Sequence, residues 1–487
     1  MKLPIAVASV FLTLAASSGA SVLTANPQGC IDPTAYDADT DFFPDKFVPD
    51  ETTDLITITY HNTYKIITNK FSNKSYLLYQ CGTEPPENEV KYGWHHVVLP
   101  VPHTGGVAIT ETVQIPPLEI LGKRSEITAY IGNPQYVSSP CLNHLMSDDA
   151  EEEEMVEIIY YPDDPWNTTL TDEGTADFLS RNPEAIVLTG PLGNVDADRA
   201  WGDASTQERT NVATFDWLGM YAALFNLEGT ANKIITDTEA RYQCLADNAA
   251  AVESDIQDED KPKILWADYF DGIGWSIGEC PTWDASYYCE FAQHCGASII
   301  SRPEGVGFSE SYGTDTLYWY LTDDEFLALG KDAATWIYPS KTFGDVYDQK
   351  KDILDQFKSV QNKNVYDTQG GGPLAWYEQR LAEYDVVALD LCTLVGTANP
   401  NSSSIHVRKW FRNYFTEPVG TQGTCNVPED ITLAYVPEQA ECTSIQSSSG
   451  GFPSEGSATA ANSSQRTSAA FVSVLAIVAG IVSTVLA

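Results

Sequence analysis

The order of the predicted elements is the feature that most constrains the fold of this chain. Two blocks of alternating strands and helices are separated by an amphipathic run from Thr230 to Ser254. Packing side chains recur there at steps of three and four residues, which predicts one helix of about seven turns. These side chains are Ile234, Thr238, Tyr242, Leu245, Ala249 and Val252. Because such alternation is typical of parallel sheets covered by helices, we predict an α/β fold with two Rossmann-like lobes joined by one long inter-lobe helix.

The boundaries of these parts follow from changes in the pattern. Residues 21–94 contain short runs with alternating β-branched side chains, which predict a small β-rich N-terminal module. The first lobe is predicted over residues 95–228, beginning with a strand at Val97 to Val101, and the inter-lobe helix over residues 229–255. The second lobe is predicted over residues 256–418, with the run KILWAD (Lys263 to Asp268) as its first strand and a helix from Tyr377 to Val395.

Both ends of the chain resemble processing signals. Residues 1–20 have one basic residue, an apolar run and small residues before position 20, as in a secretory signal peptide; a buried helix is the alternative. Residues 447–468 form a Ser/Gly/Ala-rich linker, and residues 469–487 an uncharged hydrophobic tail. This layout predicts a GPI-attachment signal with the modified residue at Gly456 or Ser457. A tail-anchored transmembrane helix is the alternative.

The cysteines and the glycosylation sequons agree with export from the cell. The ten cysteines are an even number without the spacing of a zinc site, which favours disulfides. Cys425 and Cys442 flank a short segment within residues 419–446, and we predict a local bridge between them. Sequons for N-glycosylation occur at Asn73, Asn167, Asn401 and Asn462. Together these features predict a eukaryotic secretory route that ends on the extracellular face of the plasma membrane or in the cell wall.

The charge of the chain limits its partners. With 68 acidic and 27 basic side chains, the formal net charge is -41 at pH 7. Such a charge excludes nucleic acid as a partner and excludes docking by attraction to anionic lipid, so contact with a membrane is expected only through the lipid anchor.

The seven histidines show no metal-ligand spacing. We therefore predict no cofactor and no protein-bound metal, and we expect a monomer.

Three segments resemble a known protein family. They are PLEILGKRSEITAYIG (Pro117 to Gly132), TFDWLGMYAALFNLEGTAN (Thr214 to Asn232) and FKSVQNKNVYDT (Phe357 to Thr368). Residues 95–418 resemble the class III substrate-binding proteins of bacterial iron-siderophore, haem and cobalamin importers. The N-terminal module and the tail depart from the bacterial pattern, so the chain resembles a eukaryotic, fungal-type, GPI-anchored branch. Whether the chain has a permease partner is open at the level of sequence.

The resemblance implies a binding protein without catalytic residues. Its ligand, a small molecule that includes the chelated-metal or siderophore-like class, would lie in a largely preformed cleft between the lobes, at the carboxyl ends of the strands. Loops that follow predicted strands supply the candidate ligand-binding residues: Glu111, Thr112, Gln114, Asn133, Gln135, Tyr136, Tyr269, Asp271, Trp275, Tyr338, Gln369 and Gly370.

Two other functions remain open at the level of sequence. Gly274-Trp275-Ser276-Ile277-Gly278 matches a nucleophile elbow, and Asp390 and His406 follow in the chain order of a hydrolase. A carboxylate pair would instead suit a glycosidase. A surface-anchored esterase or glycosidase is therefore one alternative. A cell-wall structural or adhesion protein with a vestigial cleft is the other.

Overall fold

A computed structural model of the protein describes residues 23–151, 154–164, 168–191, 199–253, 256–257, 260–278, 280, 287–311, 317–398 and 406–445. The predicted signal peptide, linker, hydrophobic tail and attachment residues Gly456 and Ser457 lie outside these ranges, as do the sequons at Asn167, Asn401 and Asn462. Asn73 is exposed in the turn between two strands. In the described ranges, no helix combines the length and apolarity that a membrane span requires.

The N-terminal module is a four-stranded sheet. Its strands, in spatial order, are β1 (Ile56–Tyr60), β2 (Tyr64–Asn69), β3 (Lys74–Gln80) and β4 (Val97–Val101), with helix α1 (Glu87–Val90) before β4. The first three strands are antiparallel, and β4 runs parallel to β3. We predicted β4 as the first strand of the first lobe. It instead completes this sheet, because it pairs with β3 along its whole length and buries Val97, Leu99 and Val101.

The first lobe contains a five-stranded parallel sheet. Its spatial order is β7-β6-β5-β8-β9, and every neighbouring pair is parallel. The strands are β5 (Val107–Ile109), β6 (Ile127–Ile131), β7 (Glu157–Ile159), β8 (Ile186–Thr189) and β9 (Ala200–Gly202). The helices are α2 (Ile115–Ile120), α3 (Pro140–Leu145), α4 (Thr168–Arg181) and α5 (Asn211–Leu224). Because β5 and β8 are buried at every position, their sequences are continuously apolar instead of alternating.

Helix α6 (Glu228–Glu253) is the predicted inter-lobe helix and has 26 residues. At 1.5 Å per residue it is about 39 Å long. Tyr242 lies near its middle, with its ring 4.0 Å from the ring of His294 and 4.9 Å from that of Tyr384. Its hydroxyl donates to Glu290 at 3.0 Å. The predicted helix therefore forms, and its central aromatic residue packs against helices of the second lobe.

The second lobe contains a mixed sheet. Its spatial order is β13-β14-β11-β10-β15-β16-β17, and β12 also pairs with β10. Strands β12, β10, β15 and β16 are parallel, whereas β11, β13, β14 and β17 are attached by antiparallel pairs. The strands are β10 (Lys263–Phe270), β11 (Gly274–Ile277), β12 (Ser298–Ile299), β13 (Phe308–Ser311), β14 (Leu317–Leu321), β15 (Thr335–Tyr338), β16 (Val365–Asp367) and β17 (Arg412–Asn413).

Among the described residues of the second lobe, the helices are α7 (Tyr287–His294), α8 (Asp323–Gly330), α9 (Phe343–Leu354), α10 (Lys358–Gln361), α11 (Ala375–Gln379) and α12 (Tyr384–Val395). The single helix predicted from Tyr377 to Val395 is interrupted, since a short 3-10 turn from Arg380 to Glu383 separates α11 from α12. The mixed α/β fold with parallel sheets, a long helix between two lobes and an N-terminal β-rich module confirms the predicted fold class.

Five disulfides join the ten cysteines. They are Cys30–Cys81, Cys141–Cys425, Cys244–Cys442, Cys280–Cys289 and Cys295–Cys392. The predicted bridge between Cys425 and Cys442 is wrong. The segment between these two cysteines is not a closed loop; it extends from α3, where Cys425 meets Cys141, to α6, where Cys442 meets Cys244.

Residues 419–445, here called the C-terminal strap, contact the first lobe, α6 and the second lobe. Arg124 of the first lobe donates to three strap carbonyls, those of Asp430, Ile431 and Leu433. Near its end the strap bonds to α6, where the side-chain oxygen of Asn248 accepts from the Ile445 amide at 2.7 Å. The strap therefore crosses from one lobe to the inter-lobe helix and is covalently attached at both places.

We predict that removing a disulfide of the strap destabilises the protein more than removing a disulfide that closes a short loop. Cys244–Cys442 spans a sequence separation of 198 residues, and Cys280–Cys289 spans 9. Since the loop entropy removed from the unfolded chain grows with loop length, we expect the Cys244→Ser/Cys442→Ser variant to lose about 2–3 kcal/mol more free energy of unfolding than Cys280→Ser/Cys289→Ser. Urea denaturation of the two double variants measures this difference. An equal or smaller loss for the strap variant would contradict a clamping role of the strap.

Candidate functional site

The carboxyl ends of the parallel strands in both lobes lie near the short helix α11. Glu378 of α11 accepts a hydrogen bond from the backbone amide of Ser138, in the first lobe after β6, at 2.6 Å. The neighbouring Tyr377 donates to the carbonyl of Pro339, directly after β15, at 3.2 Å. Adjacent residues of one helix therefore contact the segment after β6 in the first lobe and the residue directly after β15 in the second. We call the surrounding side chains the inter-lobe site.

The first-lobe half of the inter-lobe site combines buried carboxyl groups with a tyrosine. Burial raises the pKa of Glu378 to about 8, and the charge of Glu119 adds to this effect, whereas the Ser138 amide opposes it. Tyr130, at the end of β6, has a raised pKa because of burial and because Glu378 and Glu111 are nearby. Burial likewise raises the pKa of Glu111, with a contribution from Asp203. At neutral pH Glu378 is therefore largely protonated.

The second-lobe half is centred on Asp268, which lies in β10 just beyond the positions that pair with β15. Burial raises the pKa of the Asp268 carboxyl to about 7, and only its own backbone amide opposes this shift. Burial also raises the pKa values of Tyr338 and Tyr377 to about 12, with a further contribution from the charge of Asp268. Tyr377 is 45% exposed. A desolvated carboxyl group therefore lies beside an accessible aromatic ring.

Arg380 follows α11 and is the basic side chain of this half. Its guanidinium carbon is 4.5 Å from the ring centre of Tyr287 and 5.2 Å from that of Trp376. One guanidinium nitrogen donates to the carbonyl of Trp376 at 3.0 Å. Burial lowers the pKa of Arg380, and the neighbouring Tyr287 and Tyr377 oppose that shift. The site therefore presents a cation and a carboxyl group near the same tyrosine.

The structure places the predicted ligand-binding residues in different surroundings. Glu111, Tyr269 and Tyr338 lie at strand ends of the site, and Tyr136 is 55% exposed near Tyr130. Asn133 accepts the amide of Gln135 at 3.0 Å in the loop after β6. Thr112 is half-buried in a 3-10 turn, and Asp271 is exposed in the turn between β10 and β11.

Four predicted residues have supporting roles in the fold. Gln114 is fully buried, and its side-chain oxygen accepts the amides of Thr110 and Glu111. Trp275 is fully buried and stacks on Phe326 with 4.1 Å between ring centres. Gln369 is buried and donates to Asp367 at 3.0 Å, and the amide of Gly370 donates to the Trp410 carbonyl at 3.1 Å. These four residues hold loops and the core in place.

Sequence reasoning missed six residues of the inter-lobe site: Tyr130, Asp268, Tyr287, Tyr377, Glu378 and Arg380. Asp268 had a usable signal, since it is the acidic residue that ends the apolar run KILWAD at the carboxyl end of a strand. The other five had no such signal, and three of them, Tyr377, Glu378 and Arg380, lie in the predicted helix from Tyr377 to Val395, whose faces the sequence does not define.

The hydrolase motif does not have the context that it needs. A nucleophile elbow requires a strand, a sharp turn at the serine and a helix. Ser276 instead lies inside β11, opposite Asp268 of β10 and Tyr320 of β14 in antiparallel pairs. His406 and Asp390 do meet at 2.5 Å, but Asp390 also accepts the amides of Lys409, Trp410 and Phe411. The carboxylate of Asp390 therefore anchors the loop after α12.

Comparison with known proteins gives matches among solved structures alone. No family model and no curated protein matches the chain. The chain is similar to a periplasmic heme binding protein from Pseudomonas aeruginosa, with 11% identity, 66% of this chain and 99% of that chain covered, and a TM-score of 0.42. It is also similar to a periplasmic binding protein from Veillonella parvula, with 12% identity, 60% and 91% coverage, and a TM-score of 0.41.

A third similar structure is an ABC-type Fe3+-hydroxamate transport system from Saccharomonospora viridis, with 12% identity, 60% of this chain and 94% of that chain covered, and a TM-score of 0.40. The architecture described above follows from the strand order and pairing of this chain itself.

The raised carboxyl pKa values predict that stability decreases with increasing pH. Glu378, Asp268 and Asp216 have folded-state pKa values of about 8, 7 and 6, each above its ordinary value. The folded state therefore binds more protons than the unfolded state from about pH 4 to 8, so the free energy of unfolding falls as pH rises through this window. His294, whose pKa is lowered to about 4, opposes the trend below about pH 6.5.

The substitution Glu378→Gln removes one of these titrating carboxyl groups. We expect its free energy of unfolding to depend less on pH between 6.5 and 8, by up to about 1.4 kcal/mol per pH unit. Denaturant titrations at several pH values measure the slope. Glu325→Gln is the matched control, since hydrogen bonds from Thr322 lower the pKa of Glu325 and its titration lies below this window. Parallel pH profiles of wild type and Glu378→Gln would contradict the buried, protonated state of Glu378.

Proposed function

We propose that this protein captures a small molecule in the inter-lobe site and holds it without chemical conversion. The observation that carries the proposal is the meeting of strand ends from both lobes at α11, where exposed rings lie beside desolvated polar groups. In open α/β sheets, ligands bind outside the carboxyl ends of the strands. A mostly apolar surface with a few polar groups is typical of small-molecule sites.

Two tyrosines give this site its accessible aromatic surface. Tyr377 and Tyr136 are 45% and 55% exposed, whereas Tyr130 of the first-lobe half is 2% exposed. An exposed aromatic ring leaves apolar surface in contact with water. A ligand that covers the ring gains the free energy of burying that surface. The proposed contacts are Glu111, Asn133, Gln135, Tyr136, Tyr269 and Tyr338 together with Tyr130, Asp268, Tyr377 and Arg380. Thr112 and Asp271 are proposed for the rim.

Firm packing between the lobes supports a preformed site. One apolar cluster includes Leu218 of the first lobe, Tyr242 of α6, Val387 of α12 and Ile431 of the strap. Opening the lobes would expose this shared core to water. A large hinge motion between the lobes is therefore disfavoured. A preformed site suits a rigid ligand, and chelated metal complexes belong to this class because the chelator supplies the metal ligands and the protein supplies shape and polar contacts.

The proposed location is the extracellular face of the plasma membrane or the cell wall. Five disulfides are typical of exported proteins. We propose that a signal peptide at residues 1–20 directs export and that a GPI anchor at Gly456 or Ser457 holds the protein, as in a fungal-type surface branch of class III binding proteins.

Native mass spectrometry tests the binding proposal. Full-length protein from a eukaryotic host should carry a small molecule that is released on denaturation. Tyr377→Ala should lower its occupancy at least tenfold, because the exposed ring is lost, and Tyr92→Ala should not. Tyr92 is the control because it is 59% exposed near the N-terminal sheet. Wild-type occupancy that persists in Tyr377→Ala, or no bound molecule in either protein, contradicts capture at this site.

Phospholipase treatment tests the anchor. Phosphatidylinositol-specific phospholipase C cleaves a lipid anchor and leaves a transmembrane helix intact. We expect the enzyme to release the protein from intact cells, and we expect a variant with Arg at both position 456 and position 457 to lose surface attachment, since the attachment site requires small residues. Protein that stays with the membrane after treatment, but is extracted by detergent, would instead support the tail-anchored alternative.

A further inference from the structure

Arg380 has no ion-pair partner among the described residues, unlike several other buried or half-buried basic side chains of the protein. Five of those side chains form ion pairs: Lys65 with Glu228, Arg124 with Glu119, Arg241 with Asp385, Lys409 with Glu383, and Arg412 with Asp367. Within the described residues, the polar contact of the Arg380 guanidinium is the Trp376 carbonyl, and its other close neighbours are the two aromatic rings. No described carboxylate pairs with it.

Acidic side chains are abundant in this chain, but none of those that the structure describes pairs with Arg380. With 68 acidic and 27 basic side chains, the chain has enough carboxylates to pair with every basic side chain. Removing a cation from water without pairing it is costly, and contact with a ring face recovers only part of that cost. A guanidinium has five N–H donors, and Arg380 uses one of them for Trp376. The remaining donors suit the planar, bidentate recognition of an anionic group.

The surroundings of Arg380 restrict the shape of an anionic ligand. Tyr287 and Trp376 pack against the guanidinium, and Tyr377, which is 45% exposed, lies three residues before Arg380 in the chain and is influenced by the charge of Asp268. A flat ligand that covers Tyr377 would therefore lie close to Arg380 and within the influence of Asp268. A second anionic group beside Asp268 would be repelled whenever that carboxyl is ionised.

We infer that the ligand of the inter-lobe site is a planar organic anion whose acid group pairs with Arg380 and whose flat part covers Tyr377. This inference rests on the proposed function and adds the chemical class of the ligand to it. Arg380 is a binding residue in this account, and Asp268 disfavours a second anionic group on the ligand. The competing view is that Arg380 only braces α11 against Tyr287, in which case its charge has no effect on ligand choice.

Two probes of the same shape separate these views. They are 2-naphthoate, which carries a carboxylate, and 2-naphthamide, which is neutral. Isothermal titration of full-length protein should show at least tenfold tighter binding of the naphthoate. Arg380→Gln should remove this preference, because it keeps a polar side chain and removes the charge. Arg408→Gln is the matched control, since Arg408 also packs on a tyrosine, Tyr366, but is paired with Glu417. It should retain the preference.

Several results would overturn the inference. Equal binding of both probes by wild type does so without any variant, and so does a preference that persists in Arg380→Gln. If Arg380→Gln does not fold, Arg380→Lys replaces it, and we expect that variant to keep the sign of the preference at reduced size because a charge remains without the bidentate geometry. A reversed preference in Arg380→Lys contradicts the inference.

The same titrations separate failure of the ligand class from failure of the proposed function. Tight binding of 2-naphthamide that Tyr377→Ala abolishes would preserve capture at the inter-lobe site and overturn the anionic class. No binding of either probe, together with no co-purified small molecule, would overturn both. A co-purified molecule that is neutral and depends on Tyr377 would overturn the anionic class alone.

Discussion

The two lobes share one buried apolar core, and the other features of this structure depend on it. The cluster includes Leu218 and Tyr221 of the first lobe, Tyr242 of α6, and Tyr384 and Val387 of α12. Burial of such side chains contributes roughly 1.5–3 kcal/mol each, so separating the lobes would expose a large part of the stabilising surface. The C-terminal strap adds covalent attachment through Cys141–Cys425 and Cys244–Cys442. The strand ends of both sheets are therefore held at α11, and the inter-lobe site is a consequence of that arrangement.

The same packing explains why acidic groups of the site are protonated near neutral pH. Glu378 is buried where α11 meets the first lobe, Asp268 is desolvated near the end of β10, and neither forms an ion pair within the described residues. A buried carboxylate without a cation is unfavourable, so the neutral form is preferred. Arg380 shows the opposite case, because a guanidinium cannot give up its proton near pH 7 and stays charged. The site therefore has a permanent cation, Arg380, among carboxyl groups that can be neutral.

The sequence predicted the large elements because their signals are local. The stripe through Tyr242 and Leu245 follows from helical periodicity, and the apolar strands β5 and β8 follow from burial on both faces. Prediction from the sequence failed where contacts between distant parts of the chain determine the pairing of strands or cysteines. Strand β4 has the alternation of a strand in any sheet, and pairing with β3 places it in the N-terminal module. Cys425 and Cys442 are close in sequence, but the strap between them crosses the molecule.

In the site, Glu111 and Tyr338 could be predicted from the sequence because they follow or end predicted strands. The position of Arg380 depends on the break between α11 and α12, which a continuous apolar pattern conceals.

A crystal structure of the protein purified with its natural ligand tests the central claim most directly. The account predicts electron density for a small molecule in contact with Tyr377 and Arg380, at the strand ends of both lobes, with the strap and α6 in the arrangement described above. Density for a ligand at any other surface, or lobes separated across the shared core around Tyr242 and Tyr384, would contradict it.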